Sequence, residues 1–360
     1  MCAPLLQAAM KGDWPAAKAF LEENPDFVRA PITKEEETAL HIVAAAQRTT
    51  FIKELLKWMT PKDLELKTNY GFTVLHSAAQ SGIVGNAEQL VKINSKPLLI
   101  CDDKEDTPLI VATYIGHTNM VSYLLSKTPL EQLTDEKRNE LLNHTIYNDM
   151  YDIALKILEM DPNIANAGTE CWQVALEMLA KKPFSIGSES LKGIYNEALM
   201  KTLAHQLVEL LWKKVGIPDK QFSSSLVHYD TTLIFEAAKL GNVEFIIILA
   251  RSYPHLIWQQ DENRMSIFHI AILYRHESVF NLIYEIGANM DSLASYATLD
   301  SNENMLHLAG HLAPLDRLNI VSGAALQMQR ELLWFKSIDG DRKDYAADIG
   351  EQDEFKQPNT

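Results

Sequence analysis

The sequence predicts an all-α solenoid, built from helix-turn-helix repeats stacked side by side in two lobes with an inserted amphipathic helix. Three observations carry that prediction. A short phrase recurs as Thr38-Ala39-Leu40-His41, Thr73-Val74-Leu75-His76 and Thr107-Pro108-Leu109-Ile110, its leucines roughly 34 residues apart. Paired small residues, Ala8-Ala9, Ala78-Ala79 and Ala237-Ala238, follow the phrase and let neighbouring helices approach closely. Gly12, Gly82, Gly116 and Gly241 then stand where a helix must stop, a position that favours a left-handed backbone.

Each residue of the phrase has a mechanical task. Thr, Ser or Asn at its head caps a helix by accepting a backbone N–H. Pro108 fits the first turn, where its missing N–H costs nothing. The leucines Leu40, Leu75 and Leu109 face a core that no repeat encloses alone. The copies begin at Pro4-Leu5-Leu6-Gln7. They are worn at Leu141-Leu142-Asn143-His144 and Val174-Ala175-Leu176. They return as Thr232-Leu233-Ile234-Phe235, Ser266-Ile267-Phe268-His269 and Asn304-Met305-Leu306-His307, about nine repeats in all. Between the worn and the restored copies the period breaks. Pro183, Gly187 and three serines make a loop, and Leu191, Ile194, Ala198, Leu203, Leu207, Leu210 and Leu211 then recur at helical spacing. The expected division is therefore an N-terminal lobe over residues 1–182 and a loop with its inserted helix over 183–225. A C-terminal lobe with a following helix occupies 226–336, and a disordered acidic tail 337–360.

Composition narrows the function. The chain has 360 residues, is 47% hydrophobic and carries a net charge of −15. That charge opposes binding to nucleic acid and direct docking on anionic lipid. The longest clean apolar stretch, Phe245 to Ala250, is far shorter than the ~20 residues that cross a bilayer. No charged segment followed by an apolar one opens the sequence, so no signal peptide is expected. Cys2, Cys101 and Cys171 are scattered, suiting a reducing compartment rather than a disulfide framework. The expectation is a cytoplasmic protein without direct membrane insertion.

The T-x-L-H phrase at this period resembles the ankyrin repeat. A narrower likeness lies at both ends. Leu6-Gln7-Ala8-Ala9-Met10-Lys11-Gly12-Asp13-Trp14 resembles the opening repeat of plant ankyrin proteins of the PGG-domain type, the group of the accelerated-cell-death and salt-tolerance ankyrin membrane proteins. Asn302 to Gly310 is similar to their last repeat, and Ala324 to Lys336 to the helix after it. The resemblance implies partner binding in plant stress or defence signalling. Full-length relatives continue into transmembrane helices, whereas this chain turns at Ser337 into an acidic segment, so a truncated form is expected. It implies a second reading as well: a soluble regulator of a membrane-anchored, transport- or channel-like relative, reaching the plasma membrane through that partner.

Catalysis finds no support in the residues. There is no phosphate loop, no nucleophile elbow and no cofactor motif. His41, His76, His269 and His307 hold the fourth position of separate copies, so they are read as structural rather than as metal ligands. His307 and His311 have helical zinc spacing, but neither the Glu of the metalloprotease motif nor a third ligand accompanies them. The remaining candidate is a surface. In ankyrin folds the turn before each phrase projects as a finger. Mapped here, the fingers carry Lys34, Glu35, Glu37, Asn69, Tyr70, Phe72, Asp103, Lys104, Asp106, Glu262, Asn263 and Met265. The inner helices add Gln80, Tyr114 and Tyr274. Aromatic residues dominate interface hot spots, so Tyr70, Phe72, Tyr114 and Tyr274 lead this set. The acidic fingers suit a partner protein with a basic patch.

Overall fold

A computed structural model describes residues 3–46, 48–164, 169–182, 193–214, 224–286, 303–320 and 322–354. The expected loop after Pro183 lies outside the described residues. The chain divides into two compact units, Met1–Ala175 and Leu176–Thr360. Among the described residues all regular structure is helical.

In the first unit helices alternate between an inner and an outer row. The inner row is α1 (Ala3–Lys11), α3 (Ala39–Ala45), α5 (Val74–Ser81), α7 (Pro108–Ile115) and α9 (Asp135–Tyr147). The outer row is α2 (Trp14–Glu23), α4 (Thr49–Leu55), α6 (Val84–Ile93), α8 (Thr118–Leu125) and α10 (Tyr151–Met160). Each inner helix packs on the next, and α4 packs on α6 and α6 on α8. The phrase leucines fill the seam: Leu5, Leu40, Leu75 and Leu109 are buried. Ala9, Ala44, Ala78, Ala79 and Ala112 are buried beside them, so small side chains set the close approach of the inner row.

The joints between repeats are polar. Asn86 on α6 donates its amide to the carbonyls of Ala44 at 3.1 Å and Ala46 at 3.1 Å, at the end of the preceding inner helix. His117 reaches back to the Gln80 carbonyl at 2.9 Å and Asn148 to that of Thr113 at 2.8 Å. The imidazole of His117 fills the space where a Cβ on Gly82 would stand, 2.7 Å away, and φ is +70° there. Glycine at that stop is required twice over, by backbone and by space.

The second unit repeats this grammar with different parts. It contains the end of α11 (Thr169–Lys181), then α12 (Gly193–Lys214), α13 (Ser224–Leu240), α14 (Val243–Ser252) and α15 (Ile267–Leu273). Asn242 donates to the carbonyls of Leu179, Ala180 and Lys182 at 2.9, 3.1 and 3.0 Å, as Asn86 does in the first unit. The long helix expected from the leucine spacing is present as α12. It buries Ala204, Leu207, Val208, Leu211 and Trp212 and packs on α14, just as the outer helices of the first unit pack on one another.

After the short helices Glu277–Phe280, Ile283–Ile286, Met305–Ala309 and Leu315–Leu318 comes one long helix, Ala324–Glu354. The expected disordered tail gives way here to helix as far as Glu354. The reason lies in propagation. A helix already anchored by Trp334 against Phe280 and by buried Ile338 adds residues without paying for a new nucleus. Basic Arg342 and Lys343 also interrupt the acidic run, and no proline lies between Ala324 and Pro358.

Arg275 secures this end of the unit. It occupies the helix-stop position held elsewhere by glycine, at φ +60°, with its side chain 3% exposed. Its guanidinium donates to the carbonyls of Ile272 at 2.7 Å, of Ala309 and of His311, and to Glu331 of the long helix at 2.7 and 3.0 Å. One buried cation therefore clamps three elements, its charge and donors matched by a carboxylate and carbonyls.

Candidate partner-binding surface

The phrase forms a helix cap of unusual composition. A capping box normally pairs Ser or Thr with Glu or Gln three residues on. Here the third residue is His, in Thr38/His41, Thr73/His76, Ser266/His269 and Asn304/His307. His41 Nδ1 accepts from the Thr38 backbone N–H at 3.3 Å, and His76 Nδ1 from that of Thr73 at 3.1 Å. That assignment leaves each Nε2–H to donate to the next finger: His41 to the Phe72 carbonyl at 3.2 Å and His76 to the Asp106 carbonyl at 3.1 Å. The network needs neutral imidazoles, and burial supplies them. It lowers the His41 pKa to about 4 and holds His76 below the ordinary histidine value. In the next copy Ile110 replaces the histidine, and the Thr107 hydroxyl is buried without a partner.

Each finger is a hairpin organised from within. The Thr33 and Thr68 hydroxyls and the Asp102 and Asp261 carboxylates accept backbone N–H bonds from residues two or four positions on. The tips carry left-handed residues: Glu36 at φ +62°, Gly71 at +76°, Glu105 at +63° and Arg264 at +61°. Neighbouring fingers bond to each other. The Asn69 N–H donates to the Glu35 carbonyl at 3.0 Å, and the Asp103 N–H to the Tyr70 carbonyl at 3.2 Å. The three fingers of the first unit are held in one register before any partner arrives.

The structure sorts the sequence candidates. Lys34, Glu35, Asn69, Asp103, Lys104 and Gln80 are exposed, and Glu37 is half-buried. Tyr70 and Tyr114 are 59% and 69% exposed, large aromatic surfaces with little to cover them. Phe72 belongs to the frame instead: half-buried, its ring lies stacked on His76 at 5.4 Å. Asp106 is likewise committed. Lys137 donates to its carboxylate at 2.6 Å, to Glu140 at 2.8 Å and to the Lys104 carbonyl at 3.4 Å. Burial opposes that ammonium, yet its bonds to Asp106 and Glu140 raise its pKa above the ordinary lysine value. Glu262, Asn263 and Met265 form the finger of the second unit, and Tyr274 is half-buried at the end of α15. Of the candidate ligands, His307 Nδ1 lies 2.8 Å from Asn304, and His311 pairs with Glu303 at 2.7 Å.

Sequence reading missed Met10 and Tyr147, both 63% exposed on inner helices. Tyr147 lies two residues before Asp149, whose φ of +59° takes the place of the helix-stop glycine. The signal was the register of a worn copy, which only that backbone angle restores.

Rigid hairpin fingers above a row of inner helices define a class, the all-α ankyrin-repeat solenoid. Residues 5–99 match the family described as ankyrin repeats, in three copies. The chain is 24% identical over 217 residues to Protein ACCELERATED CELL DEATH 6 of Arabidopsis thaliana, covering 57% of this chain and 31% of that protein. It is 28% identical over 159 residues to a Transient receptor potential cation channel subfamily A member 1 homolog of Caenorhabditis elegans, covering 44% of this chain and 13% of that one. The chain thus spans under a third of either relative's length. Ankyrin repeats are protein-interaction scaffolds, and among the described residues no helix is long and apolar enough to cross a membrane.

Proposed function

We propose that the first unit captures a partner protein on its finger tips and inner helices, with no covalent step, and that it serves plant stress or defence signalling in the cytoplasm. The observation that carries the reading is the pairing of exposed Tyr70 and Tyr114 with fingers fixed by interlocking backbone bonds. Preordered aromatics lose little freedom on binding, so their burial goes into affinity. The likeness to Protein ACCELERATED CELL DEATH 6 supports the signalling context. Affinity purification with the whole chain, compared with a Tyr70→Ala/Tyr114→Ala variant of unchanged circular dichroism, tests it. Loss of partner proteins from the variant is expected; equal recovery overturns the surface.

A second reading rests on the cation-channel relative. In it the chain pairs with a longer membrane-anchored ankyrin protein and regulates it. Recovery in the membrane fraction only when such a protein is co-expressed supports this reading, and an unchanged soluble distribution removes it.

A further inference from the structure

The inner helices carry a row whose spacing constrains what lies on it. Met10, Ala45, Gln80, Tyr114 and Tyr147 are exposed and stand at the same position on α1, α3, α5, α7 and α9, which pack in that order. Four of them sit two residues before a left-handed residue: Gly12, Gly82, Gly116 and Asp149. Helices packed side by side lie roughly 8–10 Å apart. A polyproline II or extended strand rises about 3.1–3.3 Å per residue. Every third side chain of such a segment therefore meets the next member of the row.

The chemistry of the row favours a planar cation. Tyr114 and Tyr147 are large aromatic side chains, 69% and 63% exposed. The His144 ring stands at 86° to that of Tyr114, 5.4 Å away, and steadies its orientation. Aromatic faces attract guanidinium groups more readily than neutral side chains. Around the finger tips Glu35, Glu36, Glu37, Asp103 and Glu105 form no ion pair among the described residues. Against these five carboxylates stand Lys34, Lys67 and Lys104, and Lys67 is already committed to the Cys101 carbonyl at 2.8 Å. The excess is negative, like that of the whole chain.

We infer that the occupant of this row is an extended segment of a partner protein bearing arginine at every third position, its guanidinium planes stacked on Tyr114 and Tyr147. The inference rests on the partner-binding reading above and names the chemistry of the partner.

A fluorescein-labelled peptide with arginine at its first, fourth and seventh positions, alternating with proline and glycine, is the probe. Anisotropy titration of the whole chain is expected to show salt-sensitive binding. A peptide of the same composition with its arginines two apart, or with glutamate in their place, is expected to bind at least tenfold more weakly. Tyr114→Ala and Tyr147→Ala should each weaken the probe roughly fivefold, and the Phe variants should retain it. Equal binding of the two arginine spacings, or tyrosine variants without effect, overturns the inference. Protein capture that survives while all peptides fail overturns the arginine register alone. The broader reading falls only if capture is indifferent to the tyrosines.

Discussion

Among the described residues each unit contains a joint that the other lacks in this form, and the two joints have opposite electrostatics. In the first, His41 and His76 join each repeat to the next finger as buried neutral imidazoles, each handing one N–H to a main-chain carbonyl. In the second, Arg275 closes the end with a buried charge that needs a carboxylate and carbonyls from two further elements. A neutral joint costs little to bury and can recur along a stack. A charged joint is costly to bury alone, and it fixes one particular helix, Ala324–Glu354, in one place.

The sharpest way to break this comparison is to remove the charge. Arg275→Ala strands Glu331 and several carbonyls and is expected to cost the second unit about 3–5 kcal/mol. Hydrogen exchange should rise in α15 and the Ala324–Glu354 helix while α3 and α5 keep their protection. Equal loss in both units would show that the clamp is not local.

Acid tests the other joint. His41 has a folded pKa near 4 against about 6.5 when unfolded, so the unfolded chain binds the proton first. Its contribution is complete above about pH 6.5 and drains as pH falls toward 4, by roughly 3 kcal/mol at most. Urea midpoints of the first unit, followed between pH 7 and 4, should fall on that side. A flat profile would contradict a neutral relay.

Smaller effects probe the fingers. A Cβ on Gly71 would stand 2.6 Å from Asp103 Oδ1 and 2.7 Å from its backbone N, at φ +76°. Gly71→Ala should therefore cost about 1–2 kcal/mol by urea denaturation. Glu105 takes the same backbone region with a side chain that strains it, so Glu105→Gly should gain about half a kcal/mol. If both changes destabilise alike, the tips are not governed by backbone conformation.

What could be read in the sequence follows from the same physics. Thr38, His41, Thr73 and His76 were legible because a cap and its relay need fixed residue types at fixed spacing. The exposure of Tyr70 and Tyr114 was legible from register alone. Phe72 read as a contact residue because the spacing places it on a finger; only the stacked ring of His76 shows it turned inward. The role of Arg275 was not legible, since nothing in a linear pattern says that Glu331, more than fifty residues on, arrives to meet it. Lys137 was hidden for the same reason: its partner Asp106 belongs to another repeat.

The imidazole relay carries a further consequence. His41 and His76 bind the backbone of the following finger and take no account of the side chains it displays. The joint is blind to the surface it supports. Finger residues such as Asn69, Tyr70, Asp103 and Lys104 are therefore free to change under selection without renegotiating the stack, and a duplicated copy of the segment from Thr73 to Asp106 should slot in with its seams already written. The solenoid behaves as a typesetter's frame, in which the type is replaced while the locking bars stay where they are.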